Sequence, residues 1–297
     1  MAELARRLAL LVPAALIATG CAATRLAYNN MDWVVGWQLN RYVDLEPPQK
    51  ALFDERFQAF WAWHRSTQLK LYARDLRELA ATAGEPLSPE QVSQYLMRSS
   101  EHGMRALREA TPDMAAVLSS MSDEQVKDML DKLAEQRLKR AKEESGLDAD
   151  EIAEQARDQM IKNLKRWIGS LDKPQKQRVE AWSRQRHYSG TIWQQYAQDW
   201  NALFRAVLAH RGEPAFEREL GELFAHPRLP HAKAMAEMAE YNRKVWVSLL
   251  ADISASLSAG QRRHLQEKLR DLAGDFDALA AEKAAPGAHP AGAPPES

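Results

Sequence analysis

Residues 49–80 read QKALFDERFQAFWAWHRSTQLKLYARDLRELA. Phe53, Phe57, Phe60, Trp61, His64, Tyr72, Leu76 and Leu79 recur there at three- and four-residue steps. That spacing gathers side chains on one face of an α-helix, and no strand-like alternation competes with it. The same period runs through Val92–Leu107, Val126–Leu138, Ile152–Ile168, Val179–Leu208, Met235–Ile253 and Leu265–Leu279. The expected fold is therefore all-α: roughly seven to nine helices, as one long bundle or as two bundles in series. His64 sits on the apolar stripe and reads as a core or boundary histidine rather than a general base.

Helix starts are legible. Leu45-Glu-Pro-Pro-Gln49, Leu87-Ser-Pro-Glu-Gln91, Met121-Ser-Asp-Glu-Gln125, Leu171-Asp-Lys-Pro-Gln175 and Leu257-Ser-Ala-Gly-Gln261 share one form. An apolar residue precedes a cap, and a Gln follows three positions after the cap. This joins a hydrophobic staple to a capping box, in which the cap oxygen accepts from a free N–H and the Gln reaches back to the cap's own N–H. Glu46 is a poor cap, so the first start reads as the weakest. Interruptions are expected at Gly84-Glu-Pro86, Thr111-Pro112, Ser145-Gly146, Gly212-Glu-Pro214 and His226-Pro-Arg-Leu-Pro230. The Leu45–Lys50 start followed by Tyr72-Ala-Arg-Asp75 is echoed by the Leu171–Lys176 start followed by Tyr196-Ala-Gln-Asp199, with spacings that differ by two residues.

The chain begins with a basic pair, Arg6 and Arg7, then the apolar run Leu8–Ala18. That run is too short for a span, which needs about 20 residues, and has the layout of an export signal. Ala18-Thr19-Gly20-Cys21 resembles a bacterial lipobox, with Ala18 where Leu is usual. Cys21 is the only cysteine of the 297 residues. The resemblance makes it a lipidation site, the first residue of the mature chain, carrying palmitate-type acyl chains. Two or more chains anchor a protein stably, where one does not. Ala22, rather than Asp, after the cysteine implies the outer membrane, facing the periplasm. No intramolecular disulfide can form with one cysteine.

The segments then fall into order. Residues 1–20 are the lipoprotein signal peptide, 21–44 a lipid-anchored segment with a short Trp-rich helix, and 45–283 a helical domain with a sub-boundary near 145–170. Residues 284–297 are a Pro/Ala/Gly tail expected to be disordered. The stretch RLAYNNMDWVVGWQLNRYVDLEPPQK, residues 25–50, resembles the opening of a bacterial lipoprotein family of unknown function. Arg25, Leu26, Tyr28, Asn29, Asn30, Asp32, Trp33, Tyr42, Val43, Asp44, Leu45, Pro48 and Gln49 match its pattern; Glu46 stands where Thr is usual. The resemblance implies an all-helical exported lipoprotein and brings no catalytic residues. Trp33, Trp37 and Tyr42 admit two readings, rings in the headgroup zone or docked core residues. The four-step spacing of Trp33 and Trp37 favours the core.

Removing residues 1–20 leaves 38 basic and 40 acidic residues from the 40 and 41 of the whole chain, a net charge of −2 that argues against nucleic-acid binding. Gly-x-Ser-x-Gly, His-Glu-x-x-His, Walker A and Gly-x-Gly-x-x-Gly are absent. His226 and His231 bracket a turn with a spacing that suits no helical metal site, and His187-Tyr188-Ser189 lacks an orienting acid. No cofactor, metal or catalytic activity is expected. Residues 162–186 concentrate Lys162, Lys165, Arg166, Lys173, Lys176, Arg178, Arg184 and Arg186, with Trp167 and Trp182 among them, after an acidic stretch at 143–158. The reading favoured is neighbouring solvated faces that partly pair. The sharper one is an interaction surface for another envelope protein, anionic lipid or polysaccharide, with the tryptophans as anchors. The function expected is a non-enzymatic binding or scaffolding protein of the envelope. The alternative is a chaperone-like or envelope-stress protein, since Leu-Ser-x-x-Gln resembles the Leu-Thr-x-x-Gln motif of small helical periplasmic chaperones; an enzyme of unrecognised type ranks last.

Overall fold

The computed structural model describes residues 21–225 and 229–282, with backbone alone for 21–23 and 140–145. Residues 1–20, expected to be a signal peptide, His226 and the 284–297 stretch lie outside the described residues. The helices are α1 (Cys21–Asn29), α2 (Met31–Asn40), α3 (Pro47–Trp63), a π segment (His64–Gln68), α4 (Leu69–Thr82), α5 (Pro89–Ser119), α6 (Asp123–Ser145), α7 (Ala149–Ile168), α8 (Lys173–Gln185), α9 (Gly190–Ala209), α10 (Phe216–Ala225), α11 (Ala232–Ala255) and α12 (Ala259–Ala281). No strand occurs among the described residues, and the all-α, multi-helix expectation holds. There are more helices than the seven to nine expected. α10 was not foreseen, and Val179–Leu208 is two helices, α8 and α9, parted at residues 186–189.

Pro112 does not interrupt its helix: α5 runs through it. Proline removes one amide donor and crowds the turn before it. Here Thr111 Oγ1 donates to the Leu107 carbonyl, and α10 packs on the same turn, with Gly221 beside the Thr111 methyl. Tertiary packing outweighs the local cost.

The five helix starts form as expected, and they do more than cap. Gln49 Oε1 accepts from the Glu46 N–H and Gln125 Oε1 from the Ser122 N–H. The two side-chain amides also bond each other reciprocally at 2.8–2.9 Å, and each donates to the carbonyl two residues before the other's cap, Ser120 and Asp44. Gln175 and Gln261 repeat this arrangement at 2.9 Å, reaching the Ser256 and Ser170 carbonyls. The two echoed segments, at Leu45 and Leu171, thus each supply one half of a matched junction. Among the described residues, the fifth box, Ser88–Gln91, has no such glutamine partner. A sixth box, Asp148–Glu151, opens α7 with Glu in place of Gln.

Burial falls into clusters joined by long helices. α4 and α12 lie closely side by side because Ala73, Ala80 and Ala273 face the contact, flanked by Leu69, Phe276 and Leu279. A second cluster combines Leu118, Met129, Leu133, Trp200, Phe204, Leu208, Phe216 and Leu220 from α5, α6, α9 and α10. A third joins α7, α8 and α11 through Leu164, Ile168, Val179, Trp182, Leu249 and Ile253. Gly169, at φ +75°, ends α7 in a conformation that side chains disfavour and turns the chain into the Leu171 start.

Candidate functional site

Cys21 opens α1, so the structure between Cys21 and the body determines how any anchor would hold the protein. α1 is held by a set of polar contacts. Tyr28 is fully buried, and its hydroxyl lies 2.8 Å from His64 Nδ1. Arg65 Nη2 donates to Asn29 Oδ1 at 2.7 Å and Nη1 to the Leu279 carbonyl at 3.0 Å. Asn29 Nδ2 donates to Glu282 at 3.0 Å, and Arg25 pairs with the buried Asp275 at 3.2 Å. Arg25, Tyr28 and Asn29 therefore bolt the first helix to α12 and to the π segment.

The π segment makes this receptor possible. The Leu69 N–H bonds to the His64 carbonyl, five residues back, and the wider turn brings His64, Arg65 and Gln68 all to the interior. His64, Arg65, Gln68 and Leu69 still follow one another at helical steps, so the sequence period does not announce the wider turn. Trp61 stacks on the imidazole at 5.0 Å with planes 3° apart, and Tyr72 lies 3.3 Å from Nε2. Burial, helped by the Arg65 cation, lowers the His64 pKa to about 3, so the ring is neutral. One ring nitrogen then donates and the other accepts. Burial pushes Tyr72 up to about 12 and Tyr28 higher still, the latter despite Arg65, so both hydroxyls keep their protons. His64 is thus a core histidine, as its position on the stripe predicted.

The outer side of the same helices differs from expectation. Tyr42 docks in the core and donates to Gln136 at 2.8 Å, but Trp33 and Trp37 do not: they are 67 % and 50 % exposed. They stack on each other at 6.5 Å, Arg41 lies over Trp37, and Leu26 is 67 % exposed. The four-step spacing did place both rings on one face. That face is the solvent side, because Tyr28 and Met31 occupy the other.

In the basic stretch, Lys162, Lys165, Arg166, Lys173, Lys176, Arg178 and Arg184 are exposed and Arg186 is half-buried. Arg184 bonds Glu180 and reaches Asp150 across the helix pair, and Arg157 bonds Glu180. The acidic and basic stretches thus partly pair, as the milder reading held. Trp182 and Trp167 do not stand among the cations as surface anchors. Trp182 is buried with Arg186 over its ring at 5.2 Å, and Trp167 packs half-buried on the same core cluster.

The other candidates have structural employment. Ser189 Oγ caps α9 by accepting from the Ile192 N–H, while the His187 ring stacks on Tyr241 at 3.7 Å. His231 is hydrogen-bonded to Asp199 at 2.7 Å. Among the described residues, no group of three or more His, Cys, Asp and Glu could hold a metal ion, and no helix is long and apolar enough to cross a membrane.

The model of a family of unknown function, DUF6279, matches residues 41–234, and the chain belongs to that family. The match takes in five of the six capping boxes, from Glu46–Gln49 to Asp172–Gln175, and leaves out Ser258–Gln261. It begins after α2 and ends within α11. No curated protein matches the chain. No solved structure matches it either.

Proposed function

We propose that this is a lipid-anchored protein of the bacterial outer membrane, acylated at Cys21, that faces the periplasm and acts without chemistry as a binding or scaffolding element. The supporting observation is the attachment of α1. A cysteine meant only as a flexible tether needs no ordered helix behind it, yet Arg25, Tyr28 and Asn29 fix the first turns to the body. An anchor so attached would hold the helical body in one orientation to the bilayer. The glutamines of the chaperone-like motif are engaged in capping, Gln91 at the Ser88 N–H and Gln261 at the Ser258 N–H and against Gln175, so that motif adds no argument for chaperoning. Mass spectrometry of the mature protein tests the reading. A chain that starts at an acylated Cys21 is expected; an unmodified Cys21, or another first residue, contradicts it.

The partner surface proposed is the exposed part of the 162–186 stretch. Contacts driven by such cations weaken from low to physiological salt, because exposed charges are screened over about 8–10 Å. Reversing Lys165, Arg166, Lys176 and Arg178 to Glu should lower capture of envelope partners in pull-downs while the circular dichroism spectrum stays helical. Unchanged capture by the folded variant removes this surface.

A further inference from the structure

We propose that Leu26, Trp33 and Trp37 form a stripe that seats in the headgroup layer of the bilayer to which Cys21 is tethered, laying α1 and α2 along the membrane surface. The inference rests on the anchored reading above and adds a second contact with the same membrane. The helical hydrogen-bond pattern continues across Asn30, with the Asn30 N–H bonded to the Leu26 carbonyl and the Val34 N–H to the Asn30 carbonyl. At 3.6 residues per turn, steps of seven and four leave Leu26, Trp33 and Trp37 within about 40° of one another. Tyr28 and Met31 fall on the opposite side, where they are buried. The stripe is therefore the outward face of a rod whose inward face is fixed.

Three observations select a bilayer as the occupant. The first is position: at about 1.5 Å rise per residue, Leu26 lies roughly 8 Å and Trp37 roughly 24 Å along the helices from Cys21. The tethered end thus brings the whole stripe within reach of the surface. The second is residue type. Indole rings are amphipathic, and tryptophan concentrates at the headgroup level of membranes. The third is the border. Arg41 is exposed beside the stripe, over the Trp37 ring, where it would meet lipid phosphates. Asp32 lies about 120° around the helix from Leu26, away from that contact.

The test uses the acylated protein in vesicles of phosphatidylethanolamine and phosphatidylglycerol carrying brominated acyl chains, which quench nearby indoles. Quenching is expected in the native chain and should be largely abolished in Trp33→Ala/Trp37→Ala. A quenched fraction unchanged by the double substitution overturns the proposal. A Cys21→Ser chain, which cannot be acylated, separates this surface from the anchor. It should cosediment with the same vesicles, more than about tenfold better than Cys21→Ser/Leu26→Glu/Trp33→Glu, a factor equal to about 1.4 kcal/mol. Equal sedimentation overturns the proposal whatever mass spectrometry finds at Cys21. A lipid-free dimer that these same substitutions dissolve would assign the stripe to a second copy of the chain and also overturn it.

Discussion

Two pairs of tryptophans exchange the places that their sequence neighbourhoods suggest. Trp33 and Trp37 sit in an apolar stretch at core-like spacing and face solvent. Trp182, and less fully Trp167, sit among eight cations and face the interior. Spacing says which residues share a face; it does not say where the face points. That depends on what the rest of the helix offers. α1 and α2 have Tyr28 and Met31 for the core, which leaves the indoles outside. In α7 and α8 the cations must stay hydrated, so the indoles turn inward with Leu164, Ile168 and Val179.

The largest expected effect bears on the buried member. Trp182→Ala should destabilise the fold by about 3–5 kcal/mol in chemical denaturation, the usual cost of removing a large buried ring. Trp33→Ala should change stability by no more than about 0.5 kcal/mol, as for an ordinary surface substitution. Similar losses at the two sites would erase the comparison.

The receptor for α1 should be acid-sensitive. The pKa of His64 is lowered in the folded protein to about 3 against an ordinary 6.5, so acid favours the unfolded chain. Its contribution is fully present above pH 6.5 and is lost as pH falls toward 3, at about 1.4 kcal/mol per unit. Denaturation midpoints at pH 7 and 5 measure it. The native chain should lose about 2 kcal/mol over that range, and His64→Gln, which has no imidazole to protonate, should be nearly flat. Equal slopes would mean that other groups carry the acid sensitivity.

Smaller differences should separate the helix starts. Gln91→Ala removes the hydrogen bond to the Ser88 N–H, worth about 0.5–1.5 kcal/mol. Gln175→Ala also strips Gln261 of its amide partner inside a buried junction, and about 1–3 kcal/mol is expected. Ser88→Ala and Asp172→Ala should each cost about 0.5–2 kcal/mol. Each should be non-additive with loss of its own Gln in a double-mutant cycle.

Fold class and helix starts were legible because both are local. Period 3.6 fixes the helix, and cap and Gln lie within one turn of each other. The same rule, widened to Glu, covers the Asp148 start. What lay beyond the sequence is long-range. Gln49 meets Gln125 and Gln175 meets Gln261 only after folding, and α5 passes Pro112 because α10 supports it. The gap at 186–189 is held by Asn242, whose side chain bonds both the N–H and the carbonyl of His187. The polar receptor for α1 is intermediate. Tyr28, Asn29 and His64 each stood out in the sequence, but what joins them is a π turn that the helical period does not announce.

Acrylamide quenching of the lipid-free Cys21→Ser chain tests the central contrast most directly, since it reads solvent access to the indoles. Trp33→Phe/Trp37→Phe should remove the largest part of the quencher-accessible emission, and Trp182→Phe should leave that part intact. Accessible emission that survives the first substitution and disappears with the second would contradict the account.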